Sequence, residues 1–262
     1  MTLIVALKCK DGVVFASDSL ATVETRVSIT SGVKIPIKYT VTKIQPLGDD
    51  KLWAASGTDS VIQEFERYLG TLQSNSLSFS DIKAMRELQE KWTAILEGAS
   101  RKQQRIRHIP AKLIPKEDLP SAEVLIVGYE SIVADNYARP RILHLDTDGE
   151  LMYWEKEYSH KAIGYEALAE PTLKQFEKIE YSKWQGCLIA YKTLADAINV
   201  STKVGGDIVI WTIDKDGTCP LDANQIDNLK ATYAWWGDMA EEFFKTEVLE
   251  KLNSFSASQP PS

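Results

Sequence analysis

The chain has 262 residues, of which 44% are hydrophobic and 26% are charged. That balance is typical of a globular protein large enough to bury a substantial core. The net charge of −7 argues against a nucleic-acid surface, which normally carries a basic excess. No apolar run approaches the ~20 residues that span a bilayer, and the first residues lack the features of a signal peptide. We therefore expect a cytoplasmic protein with no membrane or nucleic-acid partner.

The cysteines and histidines are scattered along the chain without the spacing of metal ligands. Cys9 and Cys187 stand among apolar residues, the first in a predicted strand and the second in a predicted helix, and both are expected to be buried thiols. The sequence therefore predicts no bound metal.

The first predicted elements in chain order are strands. Residues 2–9 and 13–19 are rich in apolar and β-branched side chains, and Asp11-Gly12 between them is typical of a two-residue hairpin turn. After a polar, β-branched segment, residues 43–55 predict a second hairpin. The chain then turns at Ser56-Gly57-Thr58 and becomes helical.

Two helices follow this turn. Apolar residues recur at intervals of three and four over 61–72 and again over 82–95. Ser80 is the predicted N-cap of the second helix, with Asp81 in its first turn. Prolines among charged residues predict a loop over 98–121.

The second half of the sequence alternates strands with helices. The predicted strands cover 122–129, 141–145, 151–154 and 205–212, and the predicted helices cover 166–178, 182–198 and most of 221–252. Strands joined by short turns pair antiparallel, and paired helices cover the outer faces of sheets. We therefore predict an α+β protein with two stacked, mainly antiparallel sheets flanked by helices. It forms a single domain over 1–253, followed by a disordered tail over 254–262.

Thr2 is the residue whose possible reactivity is most distinctive. Removal of Met1 would give Thr2 a free α-amine beside its own hydroxyl, and such an amine titrates near ~7.7–8.0, so it can accept the hydroxyl proton close to neutral pH. A hairpin symmetric about Asp11-Gly12 would place Thr2 opposite Ala21, with Asp18 about 10 Å along the return strand. A nucleophile of this kind also needs a nearby cation and an acid that holds it, and Lys43 is the candidate cation.

Together these motifs resemble those of proteasome β-type subunits. The likeness rests on residues 2–8 with 10–19, on Thr42-Lys43-Ile44 and on Ala55-Ser56-Gly57. It extends, up to about residue 212, to Gly128-Tyr129-Glu130, Asp146-Thr147-Asp148-Gly149, Ala162-Ile163-Gly164 and Gly205-Gly206. The resemblance implies an N-terminal nucleophile (Ntn) hydrolase with a four-layer αββα sandwich. It also implies closed homo-oligomeric rings that cut peptides or unfolded proteins inside a chamber without a cofactor.

The resemblance also implies roles for individual residues. Thr2 corresponds to the nucleophile, Asp18 to the acid that holds the lysine, and Lys43 to the lysine that tunes the threonine. The amide of Gly57 corresponds to the oxyanion-hole donor, and the backbone at Thr22 to the edge on which a peptide substrate pairs as a strand.

This sequence departs from the family pattern beside the site. The 25-residue step from Asp18 to Lys43 is longer than in the family, so an insertion lies next to the cleft, and Lys34 or Lys38 could compete with Lys43. The serine that the family carries in a Gly-Ser-Gly turn is replaced here by Tyr165.

A second departure lies before the paired glycines. The family carries an Asp-x-x-Ser at this place, whereas this chain has Ser201-Thr202-Lys203-Val204. Ser201 or Thr202 could substitute for the missing groups. Groups of this kind orient a nucleophile, so their change bears on activity more than on fold.

Three functions are therefore considered. The first is a threonine peptidase subunit of a proteasome-like assembly, for which Asp59 indicates either a preference for basic substrates or a favourable helix-dipole contact. The second is a catalytically silent subunit of a ring, and the third is an Ntn amidase that acts on a small molecule. The sequence does not define an ATPase partner.

Overall fold

The computed structural model describes residues 2–26, 34–72, 77–107, 119–132, 137–153, 160–177 and 179–248. The chain separates into two compact units, Met1–Leu221 and Asp222–Ser262. The prediction of a single domain over 1–253 stays a prediction, because compactness does not measure whether the units fold independently. The predicted tail over 254–262 lies outside the described residues.

The first sheet has five strands in the order β10-β1-β2-β11-β12, and all its neighbours pair antiparallel. Its strands are β1 (Leu3–Cys9), β2 (Gly12–Asp18), β10 (His160–Gly164), β11 (Ile208–Asp214) and β12 (Gly217–Pro220). Every residue of β1 and β2 is buried, because one face of the sheet is covered by a helix and the other by the second sheet.

The second sheet also has five antiparallel strands, in the order β5-β6-β7-β8-β9. Its strands are β5 (Gln45–Pro46), β6 (Lys51–Gly57), β7 (Ala122–Ile132), β8 (Tyr137–Leu145) and β9 (Leu151–Tyr153). A separate two-stranded sheet, β3 (Leu20–Arg26) with β4 (Lys34–Thr40), forms the insertion between Asp18 and Lys43.

The helices of the first unit complete four layers. They are α1 (Asp59–Leu69), α2 (Ile82–Arg107), α3 (Glu166–Phe176) and α4 (Lys183–Val200). Phe65 of α1 and Trp92 of α2 pack with Trp53 in an apolar cluster on the outer face of the second sheet. Helix α4 packs on the first sheet, with α3 beside it.

The space between the two sheets holds its own apolar cluster. Ile4 and Phe15 from the first sheet meet Leu52 and Leu125 from the second, and all four are fully buried. The predicted architecture, a four-layer αββα sandwich of two antiparallel sheets flanked by helices, is therefore confirmed.

The second unit contains α5 (Ala223–Phe243) and a five-residue π-helical segment, Phe244–Val248. Asp222 caps α5 through a capping box with Gln225. None of the described helices is long and apolar enough to cross a membrane.

The register of the first hairpin differs from the prediction. A turn at Asp11-Gly12 would place Ile4 opposite Ser19, whereas Ile4 pairs with Ser17, so the expectation that Thr2 lies opposite Ala21 is wrong. Gly12 pairs with Cys9 inside the ladder, and the two-residue turn is Lys10-Asp11. A side chain at Gly12 would lie 2.2 Å from the carbonyl oxygen of Ile213, so glycine is needed there because β11 passes close by.

The second helix also differs from the prediction at both ends. It continues to Arg107, so the loop predicted from residue 98 is wrong over 98–107, while 108–118 lie outside the described residues. Its cap is Asp81 rather than Ser80, because the Asp81 carboxylate accepts hydrogen bonds from the amides of Lys83 and Ala84.

Candidate active site

Asp18 is the buried centre of the site. One oxygen of its carboxylate accepts hydrogen bonds from the Leu3 amide at 2.9 Å and from the Lys43 ammonium at 2.6 Å. The other oxygen accepts from the Gly205 amide at 3.1 Å. Asp18 thus joins the start of β1, the lysine before β5 and the loop before β11.

Lys43 pairs with Asp18 in an almost dry environment. The exposed fractions of their side chains are 5% and 0%, and the Lys43 ammonium also donates to the carbonyl of Leu20 at 2.7 Å. Burial lowers the pKa of Lys43, while the charge and hydrogen bond of Asp18 oppose that shift. The competing candidates Lys34 and Lys38 lie on β4, and their side chains are outside the described part of the chain.

The backbone of Thr2 is held by Gly164 at the end of β10 and by Tyr165 after it. Its carbonyl accepts a hydrogen bond from the Tyr165 amide at 3.0 Å, and Leu3 pairs with Gly164 across the β1–β10 ladder. A side chain at Gly164, whose φ is +87°, would lie 2.0 Å from the Thr2 carbonyl oxygen. This close approach fixes the backbone of Thr2 while its side chain stays partly exposed.

Thr2, Lys43 and Gly57 line one cavity of about 620 Å³. The size is within the range of small-molecule and cofactor sites. The acidic residues Asp59, Glu66 and Glu123 also line this cavity.

Gly57 occupies a backbone conformation that only glycine adopts readily. Its φ is +134°, and an added side chain would lie 2.3 Å from the Ser121 carbonyl oxygen. The next residue, Thr58, binds Ser121 through its amide and its hydroxyl, at 2.7 and 3.2 Å. The turn into α1 is therefore fixed at the edge of the cavity.

Thr22 lies on β3, where it pairs with Lys38 of β4. Its neighbour Ala21 lines the cavity, so the insertion hairpin reaches the site. The side chain of Thr22 is outside the described part of the chain.

The two departures from the family pattern have different local structures. Tyr165 contributes its amide to Thr2, and its ring lies 5.9 Å from the Lys203 ammonium. Val204 is buried, and the Ser201 hydroxyl accepts a hydrogen bond from the Lys203 amide at 3.1 Å. Ser201 therefore stabilises its own turn.

Sequence reasoning missed one hydrogen-bonded pair beside the cavity. Glu123 accepts hydrogen bonds from His144 Nε2 at 3.2 Å and from the Gly164 amide at 3.4 Å. The only signal in the sequence is that Glu123 and His144 interrupt the apolar runs 122–127 and 142–145. Within the described residues, no group of three or more His, Cys, Asp or Glu side chains could hold a metal ion.

In this fold Thr2, near the chain start, lines the same cavity as Lys43, and Lys43 pairs with the buried Asp18. No protein-family model matches this chain, and no curated protein matches it in sequence.

Solved structures match the fold over nearly the whole chain. Anbu (ancestral beta-subunit) from Yersinia bercovieri shares 16% identity, with 99% of each chain covered and a TM-score of 0.61. The helical assembly of the Anbu complex from Pseudomonas aeruginosa shares 17% identity, covering 99% of this chain and 98% of that one, with a TM-score of 0.64. A Gly-1 mutant of Anbu from Hyphomicrobium sp. strain MC1 shares 15% identity, covering 94% and 97%, with a TM-score of 0.61. At these identities the likeness shows the fold alone.

Proposed function

We propose that this chain is a threonine-type peptidase subunit of a proteasome-like assembly in the cytoplasm, with Thr2 as its nucleophile after Met1 is removed. The observation that carries the proposal is the buried pair of Lys43 and Asp18 beside Thr2. Asp18 binds both the Lys43 ammonium and the amide of Leu3, the residue after Thr2. Lys43 and Thr2 then line the same cavity.

The mechanism begins with the free α-amine of Thr2. The amine accepts the Oγ proton while Oγ attacks the substrate carbonyl, and the amide of Gly57 stabilises the tetrahedral oxyanion. Collapse of this intermediate breaks the C–N bond, and the protonated amine returns its proton to the leaving amine. Water then attacks the resulting ester, with the Thr2 amine again as base, and releases the acid and regenerates Oγ–H.

Lys43 assists by its charge. Its ammonium, held by Asp18, favours the deprotonated hydroxyl and the neutral amine of Thr2. The insertion hairpin β3–β4 supplies the edge at Thr22 on which an extended peptide substrate pairs as a strand. No cofactor takes part in these steps.

Assembly is the second element of the proposal. The Pseudomonas aeruginosa structure of this fold is a helical assembly of the Anbu complex, and the Yersinia bercovieri protein is an ancestral beta-subunit. We propose a homo-oligomer of this chain. Light scattering of the purified protein tests it, and a particle no larger than the 29.4 kDa chain would contradict it.

A second candidate, an Ntn amidase that acts on a small amide, is favoured by one observation. The cavity of about 620 Å³ is large enough to enclose a small ligand. Hydrolysis of small acylated amines but not of unstructured proteins, with the first activity lost in Thr2→Ala, would favour the amidase.

The peptidase proposal is tested with fluorogenic peptides and unstructured protein substrates. Thr2→Ala is expected to abolish turnover, while Thr2→Ser keeps part of it because serine retains a hydroxyl and an α-amine. Undiminished hydrolysis by Thr2→Ala would overturn the proposal.

A further inference from the structure

Glu123 and His144 lie at one end of the space between the two sheets, and the mechanism above uses neither of them. Alternate residues of a strand face opposite sides, and Leu125 and Val127 of β7 lie in the inter-sheet cluster. Glu123 is on that same face of β7. On β8, His144 is likewise on the face of Ile142, which lies in the same cluster. An acid and a base therefore project into an otherwise apolar space.

Glu123 carries a negative charge in this position. Burial raises the pKa of Glu123. The hydrogen bond and charge of His144, the Gly164 amide and the charge of Lys161 lower that pKa by more, so the net shift is downward. His144 is 2% exposed, and its Nε2 is the atom that binds Glu123. The side chain of Glu123 is 24% exposed and lines the cavity, so the pair lies where the inter-sheet space meets the cavity.

Glu123 is connected to Thr2 through Gly164. Its second carboxylate oxygen accepts from the Gly164 amide at 3.4 Å, while Gly164 pairs with Leu3 and closely approaches the Thr2 carbonyl. On the other side, Asp18 holds the Leu3 amide. Asp18 thus binds the start of β1 directly, and Glu123, from the other sheet, binds the Gly164 backbone that pairs with it.

We propose that Glu123, oriented by His144, is a positioning residue for the α-amine of Thr2. It fixes the backbone beside the amine through Gly164 and places a negative charge in the cavity that opposes the charge of Lys43. It thereby supports the amine where Tyr165 stands in place of the family's serine. This inference rests on the proposed function.

Other charged groups near Glu123 could also shift the titration of the Thr2 amine, so the experiment needs a control variant. The titratable groups that face it or share its cavity include His144 on β8, Lys161 on β10 with its partner Glu166, Lys43 with Asp18, Tyr39, Tyr165, and the exposed Asp59 and Glu66 on α1. Glu66 is the matched control, because it lines the same cavity and has no contact with Gly164 among the described contacts.

The test measures the titration of the Thr2 amine itself. The full chain is made with a cleavable leader so that Thr2 is its first residue, the amine is reductively methylated with ¹³C-formaldehyde, and its ¹³C shift is followed against pH. Glu123→Gln keeps an acceptor for the Gly164 amide but removes the negative charge that favours the protonated amine. The titration midpoint of the Thr2 amine should therefore fall by about half a pH unit or more. Glu66→Gln should move it by less than half of that shift.

The outcomes separate this inference from the proposed function. An unchanged midpoint in folded Glu123→Gln, or an equal shift in Glu66→Gln, would overturn the positioning role whether or not the protein hydrolyses peptides. Where hydrolysis is measurable, Glu123→Ala should lower kcat about 10- to 100-fold with little change in KM. Glu123→Gln should restore part of this loss while keeping a shifted pH profile. A wild-type chain that titrates as expected but never reacts at Thr2 would contradict the proposed function alone.

Discussion

The ammonium of Lys43 lies 2.6 Å from the carboxylate of Asp18, although 25 residues and a complete hairpin separate them in sequence. The contact forms because β2 ends at Asp18 and the chain returns after β4. The pair therefore forms although the whole β3–β4 hairpin is inserted between its members. The insertion therefore changes the surroundings of the site and keeps its ionic centre.

This pair predicts a large loss of stability when one partner is removed. Lys43→Met leaves the Asp18 carboxylate buried without its cation, which should lower the free energy of unfolding by about 3–5 kcal/mol. The double variant Asp18→Asn with Lys43→Met should recover part of this loss. Urea unfolding measures all three chains.

The control for this prediction is an exposed pair. Lys10 and Glu180 lie 3.3 Å apart with side chains 51% and 52% exposed, so Lys10→Met should cost less than about 1 kcal/mol. Equal losses in Lys10→Met and Lys43→Met would contradict the special status of the buried pair.

Gly57 gives a prediction with an internal control. Gly57→Ala would place a methyl group against the Ser121 carbonyl at a φ of +134°, so it should cost about 2 kcal/mol or more. Gly98, inside α2, has no atom within 4 Å of an added side chain, so Gly98→Ala should raise stability by about 0.5–1 kcal/mol. Thermal unfolding compares the two variants, and the same sign for both would refute this explanation.

The thiols should react in two classes. Burial raises the pKa of Cys187 to about 12 and that of Cys9 further, so neither forms the reactive thiolate in native protein. Cys219 is exposed. Iodoacetamide at pH 8 should label Cys219 alone, and the other two should react only after unfolding, as peptide mass spectrometry can show. Rapid labelling of Cys9 in folded protein would be inconsistent with this core.

Glu123 predicts how stability depends on pH. Its folded pKa lies below the ordinary value of 4.5, so its contribution is present above that pH and is lost as pH falls through the folded pKa. Wild type should therefore lose stability more steeply than Glu123→Gln below pH 4.5. Denaturant unfolding at several pH values measures the difference, and parallel pH curves would show that the carboxylate gains no support in the folded state.

The periodicity of the sequence was sufficient for the layers of the fold but not for its registers. The Asp11-Gly12 pair is typical of a turn, yet Gly12 lies inside the ladder. Glycine is needed there because β11, about 200 residues later, passes too close for a side chain. The continuation of α2 past residue 98 was missed because its exposed, charged second half has the composition of a loop.

The site could be predicted only where local motifs carry it. Asp18, Lys43 and Gly57 each stand at a strand end or turn that the sequence marks, so the Lys43–Asp18 contact and a cavity shared by Thr2, Lys43 and Gly57 could be expected. Glu123 could not, because its meaning depends on His144 and Gly164, which β8 and β10 bring to it from distant parts of the chain.

The most direct test of the central claim is intact-mass spectrometry before and after treatment with a threonine-directed electrophile. We predict that the purified chain lacks Met1 and gains one adduct, that fragmentation places the adduct on Thr2, and that Thr2→Ala gains none. A chain that uniformly keeps Met1, or an adduct at another residue, would contradict the claim that Thr2 is the nucleophile.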